Sequence, residues 1–378
     1  MNKIRVTTIL GTRPEIVRMS ELVKHFDKHF IHRIVFTSQN KDPRTGVNFF
    51  SELALRPPDA IMANSSNSTG TFLGELFPYI EMEFQNHPTD AVVILGDTNS
   101  SLSAIIAKKH GIPIYHLEAG NRSFDINVPE ENNRKVVDHI ADFNLCYTTF
   151  ARQNLLSEGI HPRNSIVIGT PLREVIDLNK ANIQKSQVLE ELGLIPGKFI
   201  LVSLHRQENI DDLRRLRTIF GSLEVVSAEY GVPIIISTHP RLRSKLDDSQ
   251  IEISPHIRLV DPLGFHDYCK LQINSQIVIS DSGSISEESA ILGFNALTIR
   301  DSMERPEALE AGTVIMTGIE PTNILSGINY IYSRTEQKRI PADYAIENTS
   351  DRVVSFILST FHARNFWFGK RKDFSTQK

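Results

Sequence analysis

The chain has 378 residues, which is too many for one ordinary hydrophobic core, so two domains of roughly 150–200 residues are expected. A net charge of −4 provides no basic field for nucleic acid, and apolar and charged contents of 40% and 23% are typical of globular proteins. No apolar run approaches the ~20 residues of a membrane helix, and Cys146 and Cys269 follow no disulfide or zinc motif. We therefore expect a cytoplasmic protein that binds neither nucleic acid nor membrane.

Short apolar runs alternate with longer amphipathic stretches, a pattern that is typical of βαβ units and parallel sheets. In the first half, strands are predicted at residues 4–10, 33–37, 91–95, 112–116, 143–146 and 165–168. Helices are predicted at residues 14–27, 71–85, 100–110 and 131–141. In the second half, a helix is predicted at 285–292 and strands at residues 199–204, 233–237, 257–260, 276–280, 296–299 and 313–316.

The two series of strands predict an α/β fold of two Rossmann-like domains, each on a parallel sheet, facing each other across a central cleft. We place the N-terminal domain at residues 1–170 and the C-terminal domain at residues 171–349. The second domain then begins with a polar, helix-like stretch around residues 178–198. Residues 350–378 form a C-terminal helix and tail, which could pack across the domain junction.

The first motif, ILGTRPE, is a strand, a tight glycine turn and a helix start. Pro14 suits the first turn of a helix, whose N-terminus could receive an anion with added charge from Arg13. An ordinary βα turn with a surface arginine explains the motif equally well. The chain has no GxGxxG at this position, so binding of a nicotinamide dinucleotide is not indicated.

Carboxylates follow the predicted strands of the first half, at the sheet edge where open α/β sheets bind ligands. Asp97 follows VVILG and could instead cap the next helix. Glu118 leaves an apolar strand toward a turn of small residues, where a carboxylate is costly unless it is paired or functional. Glu130 and Glu131 open a helix, where acids complement the helix dipole. Together these carboxylates indicate proton-transfer chemistry.

A histidine takes the corresponding place in the second half, where His205 and Arg206 follow the strand FILVSL. A protonated imidazole there could stabilise a phosphate or donate a proton, although a single histidine is more often structural. His239 and Arg241 repeat the pattern at the end of the next strand.

Small hydroxyl residues and a glycine, Ser282, Gly283 and Ser284, open the helix after the strand QIVIS. Their backbone N–H groups and hydroxyls could hold phosphate oxygens, and Glu288, one turn into the helix, could accept hydrogen bonds from a ribose diol. The alternative is a serine-rich helix cap with acids favoured by the dipole. Arg305 lies in the next charged loop, which could close over the same ligand or be solvated.

The chain resembles the non-hydrolysing UDP-N-acetylglucosamine 2-epimerase family in stretches that run in order from the first strand to about Gly318: GTRPEIVRMS, TSQN, LGDTNSS, HLEAGNR, VPEENNR, SLHRQEN, STHPR, SDSGSISEE and RDSMERPEALEAGT. The Arg-Pro-Glu of the first stretch differs from the hydrolysing relatives, so hydrolysis is not expected. The stretches EAGNRSFDINVPEENNRKVVDHIAD, PLGFHDY and SMERPE are most similar to one branch of the family. That branch converts UDP-2-acetamido-2,6-dideoxy-L-talose to UDP-N-acetyl-L-fucosamine.

The resemblance implies the glycosyltransferase-B type of fold, a homodimer, a UDP-sugar substrate and no metal or nicotinamide cofactor. It also implies that the product supplies a bacterial surface glycan. The carbon-2 proton has no adjacent carbonyl to acidify it. The implied mechanism therefore eliminates UDP to leave a glycal and returns UDP with the opposite configuration at carbon 2.

By motif, the resemblance implies that Asp97, Glu118 and Glu130 are the acid/base candidates, with His205 assisting near the leaving diphosphate. It assigns the diphosphate to Arg13, His205, Ser282, Gly283 and Ser284, and the ribose to Glu288. Further substrate or UDP ligands would be Arg206 and Arg305, and, around the sugar or a neighbouring regulatory site, Arg18, Gln39, Arg122 and His239. Which carboxylate takes the proton stays open, and Glu131 remains a first-turn acid.

The chain departs from the pattern of the family at two positions. Many members have lysine in place of Arg18 and a second arginine in place of Gln207, so activation by a second copy of substrate stays open. Interconversion of UDP-N-acetylglucosamine and UDP-N-acetylmannosamine is the alternative reaction within the family. A UDP-sugar glycosyltransferase or a non-catalytic UDP-sugar sensor would not need the three carboxylates, which favours epimerisation.

Overall fold

The computed structural model describes residues 3–39, 48–64, 68–125, 127–238, 240–249, 251–335 and 340–369. Within these ranges the strands are β1 (Arg5–Leu10), β2 (Ile31–Phe36), β3 (Ala60–Ile61), β4 (Ala91–Leu95), β5 (Ile114–Leu117), β6 (Phe143–Cys146), β7 (Ser165–Val167), β8 (Ile200–Leu204), β9 (Ile234–Thr238), β10 (Ile257–Val260), β11 (Ile277–Ser280), β12 (Ala296–Thr298) and β13 (Val314–Met316).

The helices of the same ranges are α1 (Arg13–His29), α2 (Asn48–Glu52), α3 (Thr69–Asn86), α4 (Ala104–Lys109), α5 (Glu130–Ile140), α6 (Thr149–Ser157), α7 (Pro171–Lys185), α8 (Val188–Glu191), α9 (Gln207–Asp211), α10 (Leu213–Tyr230), α11 (Pro240–Ser249), α12 (Phe265–Asn274), α13 (Ile285–Leu292), α14 (Pro306–Glu310), α15 (Pro321–Ser333), α16 (Thr349–Phe361) and α17 (Arg364–Trp367). Short 3₁₀ helices occur at Asn99–Ser103, Pro162–Asn164 and Ala342–Ala345.

The chain folds into two compact units, each built on its own parallel sheet. The first unit comprises the described residues within 1–121, 129–171 and 346–378, and the second those within 122–128 and 172–345. The sheet of the first unit has the order β3-β2-β1-β4-β5-β6-β7, and that of the second has the order β10-β9-β8-β11-β12-β13. The predicted α/β class, with two Rossmann-like parallel-sheet domains, is confirmed.

The strand order reverses once in each sheet, and these switch points place the candidate motifs. In the first unit the reversal lies between β1 and β4, and in the second between β8 and β11. Loops at the carboxyl ends of strands beside a switch point diverge and leave room for a ligand. The turn with Arg13 and the turn with Asp97 flank the first switch point. The turns with His205 and with Gly283 flank the second.

The core of the first unit lies between its sheet and flanking helices. Ile9, Val92 and Ile94 project from β1 and β4 onto α3, which contributes apolar residues at four-residue spacing: Phe72, Leu76, Ile80 and Phe84. That spacing places the four side chains on one helical face, so the sequence of α3 dictates its packing.

The C-terminal helices belong to the first unit. Tyr115 of β5 forms a hydrogen bond of 2.9 Å with Thr360 of α16, and Arg364 of α17 donates to Asp142 over 3.0 Å. These contacts hold α16 and α17 against β5 and the residue that precedes β6.

The sequence prediction differs from the structure where local signals are weak. The two-residue strand β3 was not predicted, because so short a run carries no periodicity. The helix predicted at 100–110 divides into a 3₁₀ segment and α4, and the stretch at 178–198 contains the end of α7, then α8 and a turn. No helix in the described part of the chain is long and apolar enough to cross a membrane.

Candidate active site

The turns after β1 and β4 are joined by the carboxylate of Glu15, a residue that sequence reasoning left without a role. One carboxylate oxygen accepts the backbone N–H groups of Gly11 and Thr12 at 2.5 and 2.8 Å. The other accepts the hydroxyl of Thr98 at 2.7 Å. Glu15 follows Thr12 by three residues, the spacing of a capping box, and that was the available sequence signal.

Burial of Glu15 has an electrostatic consequence. The side chain is 3% exposed, and its removal from water raises the pKa of Glu15 to about 7. The hydrogen bonds from Thr98, Gly11 and Thr12 oppose that rise, whereas the nearby charge of Asp97 adds to it. A titratable carboxyl group therefore lies directly beneath the switch point of the first sheet.

The turn after β1 has no room for a side chain at Gly11. A Cβ there would lie 1.9 Å from Oγ of Ser100 and 2.7 Å from Oγ1 of Thr37. Those two hydroxyls are hydrogen-bonded to each other at 2.7 Å, and Oε1 of Gln39 accepts the backbone N–H of Ser100 at 3.2 Å. Gln39, predicted near the sugar, therefore also holds the 3₁₀ segment that follows Asp97.

Asp97 forms an ion pair with Arg134 of α5. Arg134 is buried, and its second terminal nitrogen donates to Glu131 at 3.0 Å. The side chain of Asn133 donates to the backbone carbonyl of Asp97 at 3.0 Å. The first turns of α5 therefore fix the orientation of Asp97. Glu131, which the sequence placed only at a helix dipole, is a buried part of this network.

Glu118 has a backbone conformation that is rare outside glycine. Its φ is +63°, in the left-handed region, which costs of order 1–3 kcal/mol for such a residue and is commonest at functional sites. Its carboxylate lies 3.7 Å from the guanidinium of Arg18, which in turn lies 5.7 Å from the ring centroid of Tyr147. The structure thus brings together Arg18 and Glu118, which were predicted separately.

Asp97 and Glu118 follow neighbouring strands. Leu95 of β4 is in register with Leu117 of β5, so both carboxylates lie at the carboxyl ends of the strands. Neighbouring strands of a sheet are about 4.8 Å apart. Glu130 is the half-buried first residue of α5. Arg13 begins α1, with its guanidinium carbon 4.3 Å from the ring centroid of Phe49.

The turn after β8 is held by Asp281, another residue that sequence reasoning did not single out. Its carboxylate accepts the backbone N–H groups of His205 and Arg206 at 3.0 and 3.1 Å and the side-chain amide of Asn209 at 3.0 Å. Asp281 is fully buried, whereas the side chain of His205 is exposed, with Nδ1 3.3 Å from Oγ of Ser203. Hydrogen bonds to Asp281 therefore hold this turn in place, and its imidazole is exposed.

The loop before α13 packs against cationic side chains. A Cβ at Gly283 would lie 2.7 Å from Nη1 of Arg305 and 3.7 Å from Nη2 of Arg206. The hydroxyls of Ser282 and Ser284 are 2.8 Å apart. Two arginines therefore lie beside the N-terminal N–H groups of α13. This arrangement suits the binding of a diphosphate.

A buried set of charges supports these arginines. Glu304 pairs with Arg206 at 3.0 Å and also with Arg300, and Glu287 pairs with Arg305 at 3.3 Å. Three guanidinium groups against two carboxylates leave an excess of one positive charge within this set. The sequence could not show the role of Arg300 and Glu304, because charged loop residues are usually solvated.

Three further residues, Glu288, Arg122 and His239, were predicted as substrate ligands. Glu288 accepts a hydrogen bond of 2.6 Å from the amide of Gln272, a fully buried residue of α12. Arg122 is buried in the segment 122–128, and His239 lies outside the described residues. Within the described ranges, His, Cys, Asp and Glu form no group of three that could hold a metal ion.

Comparison with known proteins identifies related chains over almost the full length. Residues 24–358 match the family model described as UDP-N-acetylglucosamine 2-epimerase. A protein of that name from Methanocaldococcus jannaschii is 31% identical, covering 94% of this chain and 99% of the relative.

Solved structures show the same fold. The structure of UDP-N-acetylglucosamine 2-epimerase from Rickettsia bellii is 37% identical, with a TM-score of 0.88 over 97% of this chain and 100% of that one. The M. jannaschii UDP-GlcNAc 2-epimerase in complex with UDP-GlcNAc and UDP is 30% identical, with a TM-score of 0.89 over 94% and 100% of the two chains.

Proposed function

The chain belongs to the UDP-N-acetylglucosamine 2-epimerase family, a family of isomerases, and we propose that it inverts carbon 2 of a UDP-2-acetamido sugar without net hydrolysis. In this proposal a carboxylate removes the proton from carbon 2 while the bond from carbon 1 to the diphosphate oxygen breaks. The electron pair of the broken C–O bond leaves with UDP, and a double bond forms between carbons 1 and 2. UDP then adds back to carbon 1, and a proton is delivered to the opposite face of carbon 2.

The observation that carries this proposal is the pair of carboxylates on neighbouring strand ends, each oriented by its own arginine. Asp97 is held by Arg134, and Glu118 lies beside Arg18. Epimerisation needs one group to take a proton and one to return it on the other face, which two separately held carboxylates can do. Glu130 remains the third candidate. A transferase or a sensor would have no use for this arrangement.

The second unit supplies groups suited to the leaving nucleotide. The N–H groups before α13, together with Arg206 and Arg305, would bind the diphosphate and stabilise the charge that develops as the C–O bond breaks. His205, on its fixed turn, would donate a hydrogen bond or a proton to the leaving oxygen. Glu288, oriented by Gln272, would accept hydrogen bonds from the ribose hydroxyls. Arg13, Gln39, Arg122 and His239 complete the proposed set of substrate ligands.

We further propose UDP-2-acetamido-2,6-dideoxy-L-talose as the substrate and UDP-N-acetyl-L-fucosamine as the product, with the enzyme acting as a homodimer. The substrate assignment rests on the branch-like stretches EAGNRSFDINVPEENNRKVVDHIAD, PLGFHDY and SMERPE, and the homodimer rests on the resemblance to the family. Interconversion of UDP-N-acetylglucosamine and UDP-N-acetylmannosamine is the second candidate, favoured by the names of the relatives and by the sugar nucleotide bound to the M. jannaschii structure.

Incubation with each UDP-sugar in D2O, followed by proton NMR, tests both the proposed reaction and the proposed substrate. Elimination and re-addition predict loss of the carbon-2 proton signal and growth of a second diastereomer without any acceptor. The substrate that reacts faster identifies the branch. A carbon-2 proton that persists in both sugars, with no new diastereomer, would contradict the proposed function.

A further inference from the structure

A buried histidine and a buried aspartate contact the turns that carry Asp97 and Glu118. The catalytic proposal uses neither of them. His116 of β5 and Asp138 of α5 are both 0% exposed. Nδ1 of His116 lies 2.9 Å from Oδ1 of Asp138, and Nε2 lies 2.8 Å from the carbonyl oxygen of Gly96. Both ring nitrogens therefore face an oxygen atom.

The partners of the ring determine where its protons are. A backbone carbonyl can only accept, so Nε2 of His116 must carry a proton. The side chain of Asp138 accepts the backbone N–H of Gly120, which lies 3.1 and 3.3 Å from its two oxygens, and this hydrogen bond favours the ionised carboxylate. Nδ1 and Oδ1 of Asp138 then share the second proton, and its place on Nδ1 makes the ring an imidazolium opposite an ionised carboxylate. Such charge-assisted hydrogen bonds are short, strong and directional.

These hydrogen bonds connect the three elements that carry the acid/base candidates. Gly96 immediately precedes Asp97 in the turn after β4. Gly120 follows Glu118 by two residues in the turn after β5. Asp138 belongs to α5, the helix whose Arg134 pairs with Asp97. One buried ion pair thus fixes both turns to the same helix.

We propose that His116 and Asp138 are positioning residues that set the separation and orientation of Asp97 and Glu118. Neither needs to contact substrate, since each acts through the backbone of a turn. The kinetic consequence rests on the proposed function, whereas the protonation of the ring does not. Misplacement of a reacting group by about 1 Å can lower a rate about 100-fold, so a loosened turn should be visible in turnover.

Asp138 offers a matched pair of substitutions. In Asp138→Asn, the amide can donate to a neutral ring and its oxygen can still accept from Gly120, so the connections to both turns survive. In Asp138→Ala, Nδ1 of His116 and the N–H of Gly120 lose their partner. Tyr115→Phe is the control, because it removes the 2.9 Å hydrogen bond to Thr360 from the adjacent residue of β5 and leaves both turns untouched.

The first experiment compares kcat, KM and UDP affinity in these variants, with folding checked by circular dichroism. We expect Asp138→Ala to lower kcat about 100-fold with little change in KM or in UDP affinity, since the loss is one of geometry. Asp138→Asn should remain within about 10-fold of the wild type, and Tyr115→Phe should match it. A folded Asp138→Ala variant with wild-type kcat, or equal losses in Asn and Ala, would overturn the proposal.

The second experiment does not depend on catalysis. Proton–nitrogen NMR of protein labelled with ¹⁵N-histidine should show two slowly exchanging ring N–H signals for His116, assigned by their loss in His116→Gln. Asp138→Asn should retain one of them. A single signal in the wild type would refute the ion pair whatever the activity. If the wild type epimerises neither sugar nucleotide while both signals are present, the proposed function fails and the structural pair stands.

Discussion

Arg134 of α5 pairs with Asp97 and, through its other terminal nitrogen, with the buried Glu131. One guanidinium therefore pairs with two carboxylates from different elements and orients the one that follows β4. A planar fork of donors can satisfy both partners at once, which an ammonium group could not do with the same geometry.

Replacement of the carboxylate tests its role in proton transfer. Asp97→Asn keeps the shape of the side chain and a hydrogen-bond acceptor for Arg134 but removes the basic oxygen. We expect turnover to fall by at least about 100-fold, the usual contribution of a general acid or base. UDP affinity, measured by calorimetry, should be nearly unchanged because the isosteric replacement leaves the proposed nucleotide ligands in place. Near-normal turnover would remove Asp97 from the catalytic set.

Loss of the guanidinium should be costly to folding as well as to activity. Arg134→Met leaves the buried Glu131 and the partly buried Asp97 without their shared cation, and removal of one partner of a buried pair costs about 3–5 kcal/mol. Urea unfolding measures this, with Arg134→Met/Glu131→Gln expected to recover part of the loss. Arg5→Met is the control, because the pair of Arg5 with Asp90 is solvent-exposed and should contribute only about 0–1 kcal/mol. A loss for Arg134→Met no larger than for Arg5→Met would contradict the assignment.

The placement of these residues shows which parts of the site the sequence could predict. Strands buried on both faces are read as apolar runs, so β4 and β6 were predicted with the bounds observed, as was the partly exposed edge strand β10. Parallel strands then place whatever follows them at one edge of the sheet. For that reason the sequence alone is enough to identify Asp97 and Glu118 as candidates.

The partners of these carboxylates could not be predicted in the same way. Arg134, Glu131 and Asp138 lie on a helix whose polar residues look like a solvated face, and only the fold shows that they are buried. In the sequence, Asp281 likewise looks like the start of a serine-rich turn. In the structure it follows β11, and its carboxylate holds the turn after β8, which contains His205. Burial of a charge depends on contacts distant in sequence, which local periodicity does not encode.

The buried carboxyl group of Glu15 predicts a pH dependence of stability. Its pKa rises from 4.5 in the unfolded chain to about 7 in the fold, so the folded state binds the proton more tightly. The resulting contribution, about 3 kcal/mol, is fully present below pH ~4.5 and is lost as the pH rises toward about 7.

Between about pH 5 and pH 8, the free energy of unfolding should therefore fall less with rising pH in Glu15→Gln than in the wild type. Urea titration at each pH measures this. Glu190→Gln, on an exposed position of α8, is the control and should retain the wild-type slope. A Glu15→Gln profile parallel to that of the wild type would show that this carboxyl group does not titrate in the predicted range.

The close approach of Arg305 and Arg206 to Gly283 predicts a loss of nucleotide affinity in Gly283→Ala. The added methyl group would lie 2.7 Å from Nη1 of Arg305, so the flexible end of that side chain must move and can no longer lie where the proposed diphosphate requires it. We expect UDP affinity to fall about 10-fold, the cost of one weakened charge-assisted contact. Gly221→Ala is the matched control. It lies in α10 with nothing within 4 Å of its Cβ position, so it should leave UDP binding intact and stabilise the helix by up to about 1 kcal/mol. Equal UDP affinity in both variants, measured by calorimetry, would place the diphosphate away from the loop before α13.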